Sequence, residues 1–200
     1  MISYLWRHRV RYSFGSKSWW RTWAKRVLTS GTVARATFRA ARLRWRGAQI
    51  HQSAVLSKAD IEGNLAQLSI GEFSFVGRVK IQVHDSVKIG ARICINDGVH
   101  IFTASHEVDS PNWQPITRPV VIEDFAWIAS LAIILPGVRI GRGAVVGAGA
   151  VVSKDIPAGA VASGNPCVVT EGRRSQNLDY SPVFFLAGVR AWLHDEADKS

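Results

Sequence analysis

The chain reads as an all-β fold, a parallel β-helix in which short strands wind as a triangular coil, with a helical arm before it and a short extension after it. Three observations predict this. From Ile122 an aliphatic residue recurs at every sixth position, through Ile128, Ile134, Ile140, Val146 and Val152. A second, small or aliphatic column follows four residues behind each: Ala126, Ala132, Val138, Ala144, Ala150 and Ile156. The same register stands upstream as Val83, Ile89, Ile95 and Ile101. A helix would smear positions of period six around its circumference, and a flat strand with a two-residue repeat has no use for corners. One hexad therefore makes one side and one corner, three hexads close a coil, and stacked coils bury the column as a continuous core.

The N-terminal arm, residues 1–50, comes first. Residues 1–59 carry thirteen Lys and Arg and no acid, so the formal +10 of the 200-residue chain belongs to this part, while residues 60–200 hold twelve basic against fifteen acidic side chains. The arm also has five of the eight tryptophans, Trp6, Trp19, Trp20, Trp23 and Trp45. It should be helical, most clearly over 35–45 before Gly47. Two readings of it stand side by side. The helix can cap the open end of the coil stack, as terminal units of a repeat must, or residues 1–46 can lie against a membrane surface, where basic residues and interfacial aromatics belong. Contact with a nucleic-acid backbone is the weaker reading. No apolar run is long enough to span a bilayer and no signal peptide is evident. With Cys94 and Cys167 in separate coils, neither a disulfide framework nor a Cys-rich metal site is indicated. The expected location is cytoplasmic, with peripheral contact at the inner face of the membrane.

The β-helix should occupy residues 51–169 in four to five coils. Its first stretch, Ile70-Gly71 and Val76-Gly77, slips by one residue before joining the main register, which predicts an altered corner near Gly77 to Lys80. Residues 106–119 contain three prolines and no hexad, so they should leave the coil as a loop, the usual place for function in a repeat protein. The extension, 170–200, contains an apolar run from Pro182 to Leu193 that must dock somewhere.

His106 is the first chemical candidate, held by strand on one side and facing the loop on the other. A neutral imidazole there can take a proton from an attacking hydroxyl or amine; equally, a corner histidine can simply bond to backbone. A zinc site of the γ-class carbonic anhydrase kind would need three converging histidines. His100 and His106 lie one hexad apart, His84 is out of register with them, and no metal is expected. A non-catalytic β-helical protein binding through its basic arm is the remaining alternative.

The strings Ile101-Phe102-Thr103-Ala104-Ser105-His106, Trp127-Ile128-Ala129-Ser130, Leu135-Pro136-Gly137-Val138-Arg139-Ile140-Gly141, 146–157 and Gly164-Asn165-Pro166 resemble the hexapeptide-repeat acyltransferases over residues 66–169. The likeness is nearest to O-acetyltransferases of sugars, those of maltose, galactosides, colanic acid and other exopolysaccharides. It implies a left-handed coil, a homotrimer with active sites between subunits, and acetyl-CoA along the groove of adjacent coils. His106 matches the family's catalytic histidine, and Trp127 a tryptophan beside the active site. Ser130, Ala148, Ser153 and Lys154 match positions that contact coenzyme A. Lys154 and Ser153 suit nucleotide phosphates, and small residues such as Gly147 and Ala148 suit a close pantetheine arm. Read without the likeness, Lys154 is an ordinary solvated lysine and the small residues are what tight corners need. The implied reaction is direct transfer from the thioester to a sugar or glycan acceptor in cell-surface polysaccharide assembly, with no acyl-enzyme. Two departures bear on the acceptor: the Asn-Phe-Asn-like segment of the maltose type is absent at Val76-Gly77-Arg78, and Glu171 stands where relatives place basic residues, ahead of Arg173 and Arg174.

Overall fold

Aliphatic side chains meet in three inward columns because successive coils stack in register. The computed structural model describes residues 1–170, 174–175 and 177–193. Coil 1 comprises the strands Gln49–Ile50, Val55–Leu56 and Asp60–Gly63. Coil 2 comprises Leu68–Ile70, Phe75–Val76 and Lys80–Val83, and coil 3 Val87–Ile89, Cys94–Ile95 and His100–Phe102. Coil 4 is Val120–Ile122, Trp127–Ile128 and Ile133–Ile134, and coil 5 Arg139–Ile140, Val145–Val146 and Val151–Val152. A partial sixth coil, beyond the four to five expected, has the Ile140–Ile156 bridge and the strand Val161–Ser163. We call the first, second and third sides of each coil faces A, B and C.

Pairing between coils is parallel on every face. Ile50, Ile70, Ile89, Ile122 and Ile140 align on face A, and Leu56, Val76, Ile95, Ile128, Val146 and Ala162 on face B. Ile61, Ile81, Ile101, Ile134 and Val152 align on face C. These residues form one buried cluster, and burial of each larger aliphatic side chain contributes about 1.5–3 kcal/mol.

Two column positions differ from the six-residue count. Ile81, not Val83, pairs with Ile101, so only five residues separate it from Val76. The corner at Gly77 to Lys80 is thus one residue short, as the slip predicts. Val83 ends the same strand, buried and paired with Gly63, and the corner after it is lengthened. At the other end Ile156 leaves the second column and takes the first-column place on Ile140, because the corner Ser153-Lys154-Asp155 is contracted; Asp155 Oδ1 accepts from Arg139 N at 2.7 Å and Ile156 N donates to Arg139 O.

Corners between faces A and B turn on a left-handed residue in every coil from the second onward: Phe73, Arg92, Phe125, Gly143 and Gly159. The three that are not glycine carry side chains that hold the returning C-terminal segment. Phe184 stacks on Phe73, and Arg92 pairs with Asp179 at 2.8 Å. Arg174 donates to the carbonyls of Phe125 and Gly143, while Tyr180 donates to Phe125 O at 2.6 Å. The segment therefore runs back along this edge from the last coils to the first, and a 3₁₀ turn at Pro182–Phe185 leads into α3 (Ala187–Arg190).

The arm forms α1 (Ile2–Arg7) and α2 (Lys17–Trp45), a helix much longer than the 35–45 stretch legible in the sequence. Ser16 caps α2 by accepting from Trp19 N. Ala40 and Leu43 of α2 close the coil-1 end of the core. Val33 and Ala36 join Met1, Leu5, Val55, Val183, Val189 and Leu193 in a second cluster. So the capping reading of the arm describes its inner face, and the apolar run of the extension docks on this chain's own first coil and α2.

Arg26 ties these parts together. It is buried, donates through Nε to Ala191 O and through Nη2 to Val10 O, and lies over Trp23 and Trp192. Arg26→Met keeps the aliphatic stem but leaves both carbonyls without their charged donor. It should cost about 2–4 kcal/mol in denaturant unfolding and raise protease cleavage in residues 8–20; an unchanged midpoint would show the staple to be dispensable.

Thr103 plays a similar part inside the coil. Its buried hydroxyl accepts from His84 N at 2.9 Å and Asp85 N at 3.0 Å and donates to Gln82 O at 2.7 Å. Thr103→Val preserves shape and strands two amides, for an expected loss of about 3 kcal/mol by urea titration.

Candidate active site

The coil is interrupted where face C of coil 3 would turn into face A of coil 4. There the chain leaves as an antiparallel hairpin of Ala104–His106 against Pro115–Thr117 rather than as a plain loop. Arg118 N donates to Thr103 O at its base, and Glu107 N to Gln114 O near its tip. With Thr103 bonded into the coil-2 corner, the hairpin stands on a fixed root.

His106 ends the outgoing strand. Its ring stacks on Trp113 at 3.8 Å between centroids and 12° between planes, and Nδ1 lies 2.8 Å from Trp113 O. A carbonyl only accepts, so Nδ1 carries the proton; in the neutral ring Nε2 then keeps its lone pair. The backbone bond belongs to the loop, not to a coil corner, and it sets the tautomer a base requires. Neither His84-Asp85 nor Asn96-Asp97 reaches the imidazole. The first pair is engaged at Thr103 through backbone amides. Asp97 faces Arg78, whose backbone amide and guanidinium hold the carboxyl below its ordinary pKa.

Trp127 projects from face B, 44% exposed, and its Nε1–H donates to Asn96 Oδ1 at 2.7 Å one coil below. Cys94 pairs with it in register and points its thiol toward the same Asn96 oxygen; burial pushes that thiol's pKa up, which opposes nucleophilic use. Ser130 and Ala148 occupy equivalent places in the corner between faces B and C of coils 4 and 5, with Gly149 N donating to Ser130 O at 2.9 Å. Gly149 turns this corner at φ 68°, and a Cβ there would meet nothing within 4 Å, so the corner opens to solvent. Gly147 is packed against the next coil. A Cβ added to it would come within 2.9 Å of Ser163 Cβ, so close packing of coil 6 demands this glycine. Ser153 and Lys154 are exposed at the far end of face C, in the corner from which, two coils earlier, the hairpin departs. Among the described residues Lys154 pairs with no carboxylate.

Hence His106, Ser153 and Lys154 share one edge of face C, Ser130 and Ala148 share the other, and Trp127 lies around that second edge on face B. One chain does not gather all six at one point. Trp113 and Thr103 were not singled out from the sequence. An aromatic opposite a histidine across a proline-rich hairpin, and a hydroxyl inside an aliphatic repeat, are the signals that mark them. Glu171 and Arg173 lie outside the described residues. Among the described residues no group of three or more His, Cys, Asp or Glu is placed to hold a metal; the ring of His100 turns to Phe102, that of His106 to Trp113.

Comparison with known proteins agrees with this architecture. Residues 119–154 match the bacterial transferase hexapeptide (six repeats) family model. The chain is 33% identical over 156 residues to WcaF of Escherichia coli strain K12, described as a colanic acid biosynthesis acetyltransferase, covering 78% of this chain and 85% of that protein. Its fold matches a maltose O-acetyltransferase from Clostridium difficile 630 with a TM-score of 0.60 and 28% identity, over 77% of this chain and 89% of the other. A hexapeptide-repeat acetyltransferase of Vibrio cholerae complexed with acetyl coenzyme A shares the fold with a TM-score of 0.64 at 24% identity, over 82% and 94% of the two chains. The coil is accordingly a left-handed β-helix, and the chain belongs to the hexapeptide-repeat acetyltransferase family.

Proposed function

We propose that the protein transfers an acetyl group from acetyl-CoA to a hydroxyl of a sugar or glycan intermediate in cell-surface polysaccharide synthesis, with His106 as general base. The observation that carries this is the bond from His106 Nδ1 to Trp113 O, which leaves Nε2 as the proton acceptor on a ring clamped by stacking. Bound acetyl-CoA supplies an activated acyl group as its thioester. His106 Nε2 takes the acceptor's proton as the oxygen attacks, and returns it to the departing thiolate when the C–S bond breaks. Nothing in this sequence needs an enzyme nucleophile.

The residues fit such a donor. Ser130 and Ala148 border the open corner made by Gly149, suited to a slender pantetheine chain. Ser153 and Lys154, which has no carboxylate partner among the described residues, offer a hydroxyl and a cation to nucleotide phosphates. Trp127, fixed by Asn96, offers a flat apolar wall. Because these groups lie on different edges and faces of one coil, the reading includes a homotrimer in which the His106 hairpin of one copy meets the coil corners of another. The relatedness to WcaF over most of its length supports a polysaccharide-related acceptor, and the maltose enzyme supports oxygen as the attacking atom. The proposed division is the arm 1–50, the catalytic coil 51–169 and the extension 170–200, corrected at its first boundary because the strand Gln49–Ile50 already belongs to coil 1.

Thioester consumption from acetyl-CoA, followed across a panel of free sugars, polysaccharide repeat units and lipid-linked sugars, tests this. His106→Ala should lower the rate at least about 10²-fold with the fold intact by circular dichroism. No turnover with any hydroxyl acceptor, or an undiminished variant, defeats the reading. Trp113→Ala keeps the carbonyl and removes the stacking ring; misplacement of the imidazole should cost about tenfold in kcat with little change in thermal midpoint.

A further inference from the structure

The outer face of α2 is an apolar feature that the described fold leaves uncovered. Positions 20, 24, 27, 31, 34, 38, 41 and 45 step by four and three residues alternately and hold only apolar residues. That spacing sets them in one line along the helix, about 38 Å long. Trp20, Val27, Phe38 and Trp45 supply its bulk, with Phe38 72% and Trp45 88% exposed. The face turned the opposite way carries Arg26, Val33, Ala36 and Ala40, which are buried against the protein. One flank of the line is basic, with Arg21, Arg35, Arg39 and Arg42, and no acid occurs in residues 1–59.

We propose that α2 docks flat on an anionic lipid bilayer through this line, with the aromatic side chains in the interface and the arginine flank against lipid phosphates. Charge complementarity selects the occupant. A second copy would bring an equally basic flank with no carboxylate to meet it, and the small residues between the aromatics would form a poor seam. A nucleic-acid backbone would satisfy the arginines but leave the tryptophans and Phe38 wet. A helix with aromatics on one side, cations beside them and its remaining face on the protein is suited to lie in the interface plane. It lies on the membrane, not through it: among the described residues no helix is long and apolar enough to cross. The inference is independent of the acceptor assignment, since lipid binding rather than acetyl transfer is what it states.

Co-sedimentation of the full chain with vesicles tests it, using phosphatidylcholine alone and phosphatidylcholine with phosphatidylglycerol, alongside light scattering for oligomer mass. Wild type should pellet with the anionic vesicles and remain in the supernatant with the neutral ones. Val27→Asp with Phe38→Asp should abolish pelleting, while Arg21→Gln, Arg39→Gln and Arg42→Gln together should weaken it about a hundredfold, at roughly fivefold per cation. Arg21, Val27, Phe38 and Arg42 are exposed and Arg39 is half-buried with no ion pair among the described residues, so thermal midpoints should stay put. Wild type that ignores anionic vesicles, or variants that bind them as well as wild type, overturns the proposal. If the aspartate pair instead reduces oligomer mass and no form binds lipid, a second copy covers the face and the bilayer assignment is wrong.

Discussion

Stacking of aliphatic side chains in register, coil upon coil, is the constraint to which everything else in this molecule answers. Each face offers two to four residues to its strand, too few for a strand to persist alone, and only the coil above and below satisfies its amides and covers its inward side chain. Register on the faces is therefore kept at the expense of the corners. Corner lengths vary to keep Ile81 beneath Ile101 and Ile156 upon Ile140. The coil absorbs an irregular sequence by changing its edges, not its walls, and the hairpin that carries His106 is the extreme case of such an edge.

That asymmetry explains how the chain secures its ends. A stack of coils has two open faces and no long-range cross-link of its own. Here the C-terminal segment supplies one by travelling back along the edge of Phe73, Arg92 and Phe125, where positive-φ corners push side chains outward to receive it. Arg26 then bonds to carbonyls on both terminal segments from the middle of α2. The first coil is thus capped by a helix that is itself held from two directions, so its outer face can remain apolar without the helix peeling away.

The walls were legible from the sequence because burial on a fixed period leaves a periodic trace, and the short corner near Gly77 to Lys80 was legible because it breaks that trace. Pairings that ignore the period were not. Ile156 satisfies the second-column count while standing in the first, since counting assumes corners of constant length. The reach of α2 back to Lys17 was hidden by β-branched, glycine and aromatic residues whose local preference is weak; its packing against Val55, Val183 and Val189 overrides that preference. His106 could be found as a residue type at a break in the repeat. What prepares it could not, because the Trp113 carbonyl is a backbone group, invisible to any pattern of side chains, and the stack forms only once the hairpin register is set.

Charge follows the same division between coil and arm. On the coil, opposite charges sit one coil apart and neutralise each other across the ladder: Lys80 with Glu62, Arg78 with Asp97, Arg139 with Glu123 and Arg142 with Asp124. Each such exposed pair adds little stability, but together they leave the coil with almost no field. In the arm the cations that are held at all are held by carbonyls, as with Arg26 on Val10 and Ala191 and Arg44 on Ile50 and His51. A carbonyl satisfies a guanidinium's hydrogens without cancelling its charge. The arm's charge consequently survives folding and is concentrated at one end of the stack, and a field of that kind orients the whole molecule toward an anionic partner before any contact is made.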